Sequence, residues 1–153
     1  MLANDDRLHE MRQRDENLTD LFVRKEFTSH SGKVLRYKIE CDALSDGSWD
    51  CFAAEINLAM QKMGGIKEVH GIPRGGMKLA SLLQQYVSGT GTKVLVVDDV
   101  LTTGRSIEAK REELVKDGVA EYRDIIGFTV FNRAMYTTHW IHSFLFVGSV
   151  FRD

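Results

Sequence analysis

The chain has 153 residues, 43% of them hydrophobic and 27% charged, with a formal net charge of -2. This length suits one α/β domain with a proper core and is short for two, and the balance excludes a disordered chain. The slight negative charge removes any general electrostatic reason to bind nucleic acid.

The uncharged stretch Met135 to Phe151 holds two histidines, two threonines and two serines, which argues against a membrane span. Asn4, Asp5, Asp6 and Arg7 stand where a signal peptide would need an apolar core, so a cytoplasmic protein is expected. Cys41 and Cys51 lack metal or redox spacing and read as reduced thiols. His139 and His142 are three apart with no cysteine or acidic partner beside them, so no metal site is expected.

Leu8, Met11, Leu18, Leu21 and Phe22 recur at helical intervals among charges, which predicts a solvent-facing helix over residues 5 to 22. Lys25 to His30 and Lys33 to Glu40 are richer in β-branched and aromatic residues, and Ser31-Gly32 between them makes a hairpin. Asp46-Gly47-Ser48 reads as a turn with an N-cap. It precedes a helix over Trp49 to Met63 with Phe52, Ile56, Met60 and Met63 on one face, stopped by Gly64-Gly65.

Ile66 to His70 is a short strand, interrupted by Gly71-Ile72-Pro73-Arg74-Gly75-Gly76 before a helix over Met77 to Val87. Three glycines and the chain's one proline in six residues let backbone approach a ligand closely. Arg74 and Lys78 add positive charge, and the loop opens onto a helix N-terminus, so this is a candidate anion site. Only Ser88 to Lys93 then separates this helix from the next strand, room for one tight connection.

Val94-Leu95-Val96-Val97 has no polar alternation, as in a central strand of a parallel sheet buried on both faces. Asp98 and Asp99 sit where that strand should emerge. Thr102, Thr103, Gly104 and Ser106 make a hydroxyl-rich turn into a helix over Arg105 to Asp117, closed by Gly118. Such a turn collects backbone N–H groups and a helix dipole, a second anion site. The two carboxylates beside it would repel a phosphate unless they faced another part of the ligand, and a sugar diol is their natural partner. Neither the Gly-x-x-x-x-Gly-Lys-Ser/Thr nor the Gly-x-Gly-x-x-Gly spacing is present.

Apolar strand, Asp-Asp, two aliphatics and Thr-Thr-Gly-x-Ser resembles, position by position, the phosphoribosyl pyrophosphate (PRPP) signature of the type I phosphoribosyltransferases. Arg74-Gly75-Gly76 is similar to that family's pyrophosphate loop, in which the peptide entering the arginine is often cis. Phe27-Thr28-Ser29-His30-Ser31-Gly32-Lys33 with Tyr37-Lys38-Ile39-Glu40 resembles the hood segment of the orotate enzymes, although Glu40 replaces the usual aspartate. Tyr122 to Phe131 predicts another buried strand ending in Asn132-Arg133, where orotate enzymes commonly carry Asp-Arg and the arginine meets the base carboxylate.

The resemblance implies an open, mainly parallel α/β sheet flanked by helices in one domain over 1–153, with a small hood from about 22–41 and 135–153. Phe144 to Val150 could form an edge strand within that tail, and Trp140 could stack on a base or pack in the hood or a dimer contact.

The implied reaction transfers a 5-phosphoribosyl group from PRPP to a nucleobase, orotate or a related base, and releases pyrophosphate. Asp98, Asp99 and Arg74 would be catalytic. Leu101, Thr102, Thr103, Gly104, Arg105 and Ser106 would bind the 5-phosphate. Pro73, Arg74, Gly75, Gly76 and Lys78 would bind pyrophosphate, and Arg133, Lys33 and Phe27 the base. Mg2+ would arrive on PRPP, and a homodimer is expected. A purine-type acceptor and a PRPP-binding regulator without strong catalysis remain open. The Ser88 to Lys93 connection is shorter than in the family, where a mobile loop covers the sugar. It implies cover by the hairpin or a partner subunit, or else a weak transferase with detectable PRPP hydrolysis.

Overall fold

A computed structural model describes residues 21–23, 27–28, 34–35, 38–134 and 138–147. The chain divides into two compact units that part between Ser45 and Asp46.

In the first unit, β1 (Phe22–Val23) pairs antiparallel with β4 (Lys38–Ile39), and β2 (Phe27–Thr28) with β3 (Val34–Leu35). The nested pairing is that of a hairpin, as the aromatic and β-branched composition predicts. The two ladders differ by one residue in register, Phe22 facing Ile39 and Phe27 facing Leu35. The helix expected over 5–22 lies outside the described residues apart from its end, where Phe22 opens β1 instead.

The second unit is built on a four-stranded parallel sheet in the order β5 (Ile66–Gly71), β6 (Lys93–Leu101), β7 (Ile125–Asn132), β8 (Ile141–Phe146). Helices α1 (Asp46–Lys62), α2 (Met77–Leu83) and α3 (Arg105–Lys116) accompany it. Successive strand residues point to opposite faces, and each face has its own cover. Val94, Val96, Ile125 and Ile141 pack with Ile107 and Leu114 of α3. On the other face the Phe144 ring of β8 lies 5.2 Å from Phe52 of α1 and 6.3 Å from Phe128 of β7. Val94 to Val97 are buried on both faces, which explains their unbroken apolar run.

Several boundaries move, among them that of the strand expected over Tyr122 to Phe131, where Tyr122–Asp124 is a 3-10 turn and β7 begins at Ile125. Helix α1 begins at Asp46, so the expected turn Asp46-Gly47-Ser48 is its first turn, where the Asp46 carboxylate suits the helix dipole. Its buried face is Trp49, Ala53, Ile56 and Met60, and Gly64 and Gly65 stop it with φ of +116° and +83°. Helix α2 ends at Leu83, and Gln84–Tyr86 continues as a 3-10 turn. Of the tail placed with the hood, Ile141–Phe146 is the sheet's edge strand, beginning three residues before the expected Phe144.

Candidate active site

Strand β6 outruns its neighbour on one side. The β5 ladder ends at Gly71 opposite Val97, whereas the β7 ladder continues through Asp98 opposite Thr129 and Leu101 opposite Asn132. The carboxylates are therefore inside the strand, with only β7 beside them in the sheet. The vacated side is taken by the loop after β5. Ile72 donates its N–H to the Val97 carbonyl at 2.9 Å, and Gly76 donates to the Ile72 carbonyl at 2.8 Å. A glycine-rich loop is thus fastened beside two acids at the carboxyl ends of parallel strands, where ligands of open α/β sheets bind.

Asp98 Oδ1 accepts the Asp99 N–H at 2.8 Å, and Asp99 Oδ1 accepts the Val100 N–H at 2.7 Å. Burial pushes the Asp98 carboxyl up to about 8, helped by its hydrogen bond to the Asp99 carboxylate and by that group's charge. Near neutral pH Asp98 keeps its proton, so it can donate as well as accept, which suits neighbouring hydroxyls that do both. Thr129, fully buried beside Asp98 in β7, is a polar residue the sequence reading passed over. Its hydroxyl lies 2.7 Å from that of Ser143 on β8.

The second loop follows β6 directly. Leu101 is anchored in the core, so only its backbone belongs to the turn. Thr102 to Gly104 bend, Gly104 takes φ of +78°, and α3 begins at Arg105. The Thr103 hydroxyl accepts a long 3.4 Å contact from the Arg105 N–H, and the Gly104 carbonyl accepts the Glu108 N–H at 3.0 Å. The first-turn N–H groups of α3 have no intrahelical acceptor and face the turn, with the positive end of the dipole behind them. Arg105 and Ser106 are exposed there.

Of the loop cations, Arg74 is exposed, and the Pro73–Arg74 peptide is cis, as the resemblance implies. Lys78 leans the other way. Its Nζ donates to Asp46 Oδ1 at 2.8 Å and lies 5.8 Å from the Trp49 ring centroid, and it holds the Asp46 carboxyl below the usual range.

Arg133 is buried at the end of β7, and its N–H donates to the Leu101 carbonyl at 3.0 Å, beside the turn at 102–104. Asn132 Oδ1 accepts the Ala134 N–H at 2.9 Å. Phe27 holds a strand position in the first unit, and Lys33 lies outside the described residues. Among the described residues no three His, Cys, Asp or Glu side chains gather as a metal site, and no helix is long and apolar enough to cross a membrane.

No protein-family model matches the sequence, and no curated protein matches it. Solved structures do. Orotate phosphoribosyltransferase from Aeropyrum pernix superposes with a TM-score of 0.61 at 24% identity, over 86% of this chain and 91% of that one. The Mycobacterium tuberculosis H37Rv orotate phosphoribosyltransferase, solved with inorganic phosphate, gives 0.60 at 19% identity, over 88% and 94%. The Francisella tularensis enzyme gives 0.55 at 14%, over 92% and 87%. The fold is that of the type I phosphoribosyltransferases.

Two features of this phosphoribosyltransferase fold bear on the site. The connection from the 3-10 turn to β6 is fastened at the sheet's other end. Ser88 donates to the Ile66 carbonyl at 3.0 Å, Thr92 to that of Gly64 at 3.2 Å and Lys93 to that of Gly65 at 3.1 Å. Residues 87–92 therefore stay at the amino ends of β5 and β6, away from Asp98. Trp140 also stands apart. It is buried against α3, its indole N–H donates to Glu108 Oε1 at 3.0 Å, and the Arg111 guanidinium lies 4.6 Å from its ring. It is core, neither a base platform nor an exposed contact.

Proposed function

We propose that the protein transfers a 5-phosphoribosyl group from PRPP to a nitrogen of a nucleobase, orotate or a related pyrimidine, with release of pyrophosphate. The observation that carries this reading is the meeting of the Asp98–Asp99 pair with two anion loops, 71–76 and 102–106, at one end of the sheet. A ligand with a diol between two phosphate-bearing ends matches that order of groups.

In this reading Thr102, Thr103, Gly104, Arg105 and Ser106 take the 5-phosphate through backbone N–H groups and hydroxyls. Asp98 and Asp99 hold the ribose hydroxyls and favour the cation-like carbon 1 as its bond to pyrophosphate breaks. Pro73 to Gly76, with Arg74 and, once it leaves Asp46, Lys78, receive the pyrophosphate. PRPP acts as its magnesium complex, so the metal belongs to the substrate. Arg133 is the candidate for the base carboxylate. The chemistry demands positioning and charge placement more than a covalent nucleophile.

The fastening of residues 87–92 at the far end of the sheet favours a second reading, a weak transferase that also passes the phosphoribosyl group to water. Arg74-Gly75-Gly76 keeps a purine acceptor open. One experiment separates these: the protein with PRPP, Mg2+ and a panel of pyrimidines and purines, followed by pyrophosphate release and chromatography of products. Nucleotide from one base identifies the acceptor, and ribose 5-phosphate identifies hydrolysis. PRPP binding with no product would leave a regulator, and no PRPP binding would refute the proposal. Sedimentation of the same sample tests the expected homodimer.

A further inference from the structure

Gly75 and Asp99 touch more closely than any side chain at position 75 would permit. A Cβ built on Gly75 would lie 2.3 Å from each Asp99 carboxylate oxygen and 2.4 Å from its Cγ. The loop cannot relieve this by sliding outward, because Ile72 is bonded to the Val97 carbonyl, and Gly76 packs so that its own Cβ would meet that carbonyl at 2.4 Å. The movable partner is the end of the Asp99 side chain, whose Oδ1 holds the Val100 N–H at 2.7 Å. A methyl at position 75 would therefore turn the carboxylate away and break that bond, leaving the backbone in place.

Resting on the proposed function, we propose that Gly75 is a positioning residue for Asp99. It lies in the loop assigned to pyrophosphate, yet its lack of a side chain sets where Asp99 meets the ribose hydroxyls. Recognition of the sugar and of the pyrophosphate is joined at this one contact. Two fragments separate the roles, because ribose 5-phosphate has the sugar without pyrophosphate, and magnesium pyrophosphate has the reverse.

The test is calorimetric titration of the full chain, as wild type, Gly75→Ala, Asp99→Ser and the double variant, with each fragment. Gly75→Ala is expected to weaken ribose 5-phosphate about tenfold, the loss of one hydrogen bond to a charged group, and magnesium pyrophosphate much less. In the Asp99→Ser background the same change should add little, since the two residues act as one unit. An equal loss for both fragments, or an undiminished effect in the Asp99→Ser background, would overturn the proposal. If Gly75→Ala alone fails to fold, the smaller side chain of Asp99→Ser should restore a wild-type melting temperature in the double variant, and no recovery would also overturn it. A wild-type protein that binds neither fragment would refute the proposed function itself, a result distinct from either of these.

Discussion

Lys78 Nζ lies 2.8 Å from Asp46 Oδ1, so the lysine assigned to pyrophosphate is engaged by the first turn of α1. The carboxylate competes with any anion arriving at the loop. The pair is exposed, so water and salt screen it and its hold on the lysine is weak. Asp46→Asn should therefore raise pyrophosphate affinity modestly, by no more than about fivefold at low salt, with the gain fading as ionic strength rises. Titration at two salt concentrations checks this, and an unchanged or lower affinity would remove Lys78 from the pyrophosphate site.

The raised Asp98 carboxyl makes stability depend on pH. In the unfolded chain this group ionises near pH 3.8, and in the folded protein near 8. The folded state thus binds the extra proton between these values, so the contribution is complete below the lower one and is lost as pH rises through the upper. Asp98→Asn cannot ionise. Its unfolding midpoint in urea should match wild type near pH 4 and exceed it increasingly up to about pH 8. A constant difference across that range would show that Asp98 is ionised throughout.

The same carboxylates are assigned to the ribose. Asp98→Asn with Asp99→Asn should weaken PRPP binding and any turnover, because together they remove the one negative charge the pair carries near neutral pH and with it a charge-assisted hydrogen bond of about 1.5–3 kcal/mol. Unaltered affinity and rate in the double variant would move the sugar elsewhere.

Gly104 holds φ of +78° between the hydroxyl turn and α3. A side chain in that conformation costs about 1–2 kcal/mol. Gly104→Ala should lower the melting temperature by a few degrees and weaken inorganic phosphate binding, because the turn relaxes and the N–H groups diverge. Retained phosphate affinity would mean that the anion does not sit over this turn.

Trp140 gives the opposite expectation. Trp140→Phe removes the hydrogen bond to Glu108 and leaves a void against Gly127, whose built Cβ would lie only 3.0 Å from the indole. Stability should fall by about 1–3 kcal/mol, while the affinity for PRPP and base stays at the wild-type value. A selective loss of base binding would return Trp140 to the pocket.

These contrasts show what a single chain conveys. Val94 to Val97 were legible because a strand covered on both faces has no polar alternation to keep, and the turns at 71–76 and 102–104 because glycine and hydroxyl signals for a turn are local. The continuation of β6 to Leu101 was not, since β7 alone pairs with the carboxylates and that pairing is made across the sheet. Helix α1 begins earlier than its Asp-Gly-Ser start suggests because burial of Trp49 outweighs weak local propensity. Trp140 gave no signal because its place, just before β8, depends on the missing side chain of Gly127 in β7. The contact of Gly75 with Asp99 joins residues far apart in the chain, beyond the reach of motif spacing.

The fastened connection also offers a handle on the protein. Gly89 has open space around it, with no atom within 4 Å of a built Cβ. It precedes the amino end of β6, and the six residues from Lys93 to Asp98 span roughly 16 Å of strand. With the exposed Cys51 changed to serine, a cysteine-linked fluorophore or an immobilising tag placed at Gly89 would sit at the opposite pole from the carboxylates. Surface capture through that point would present every molecule with its Asp98–Asp99 end outward.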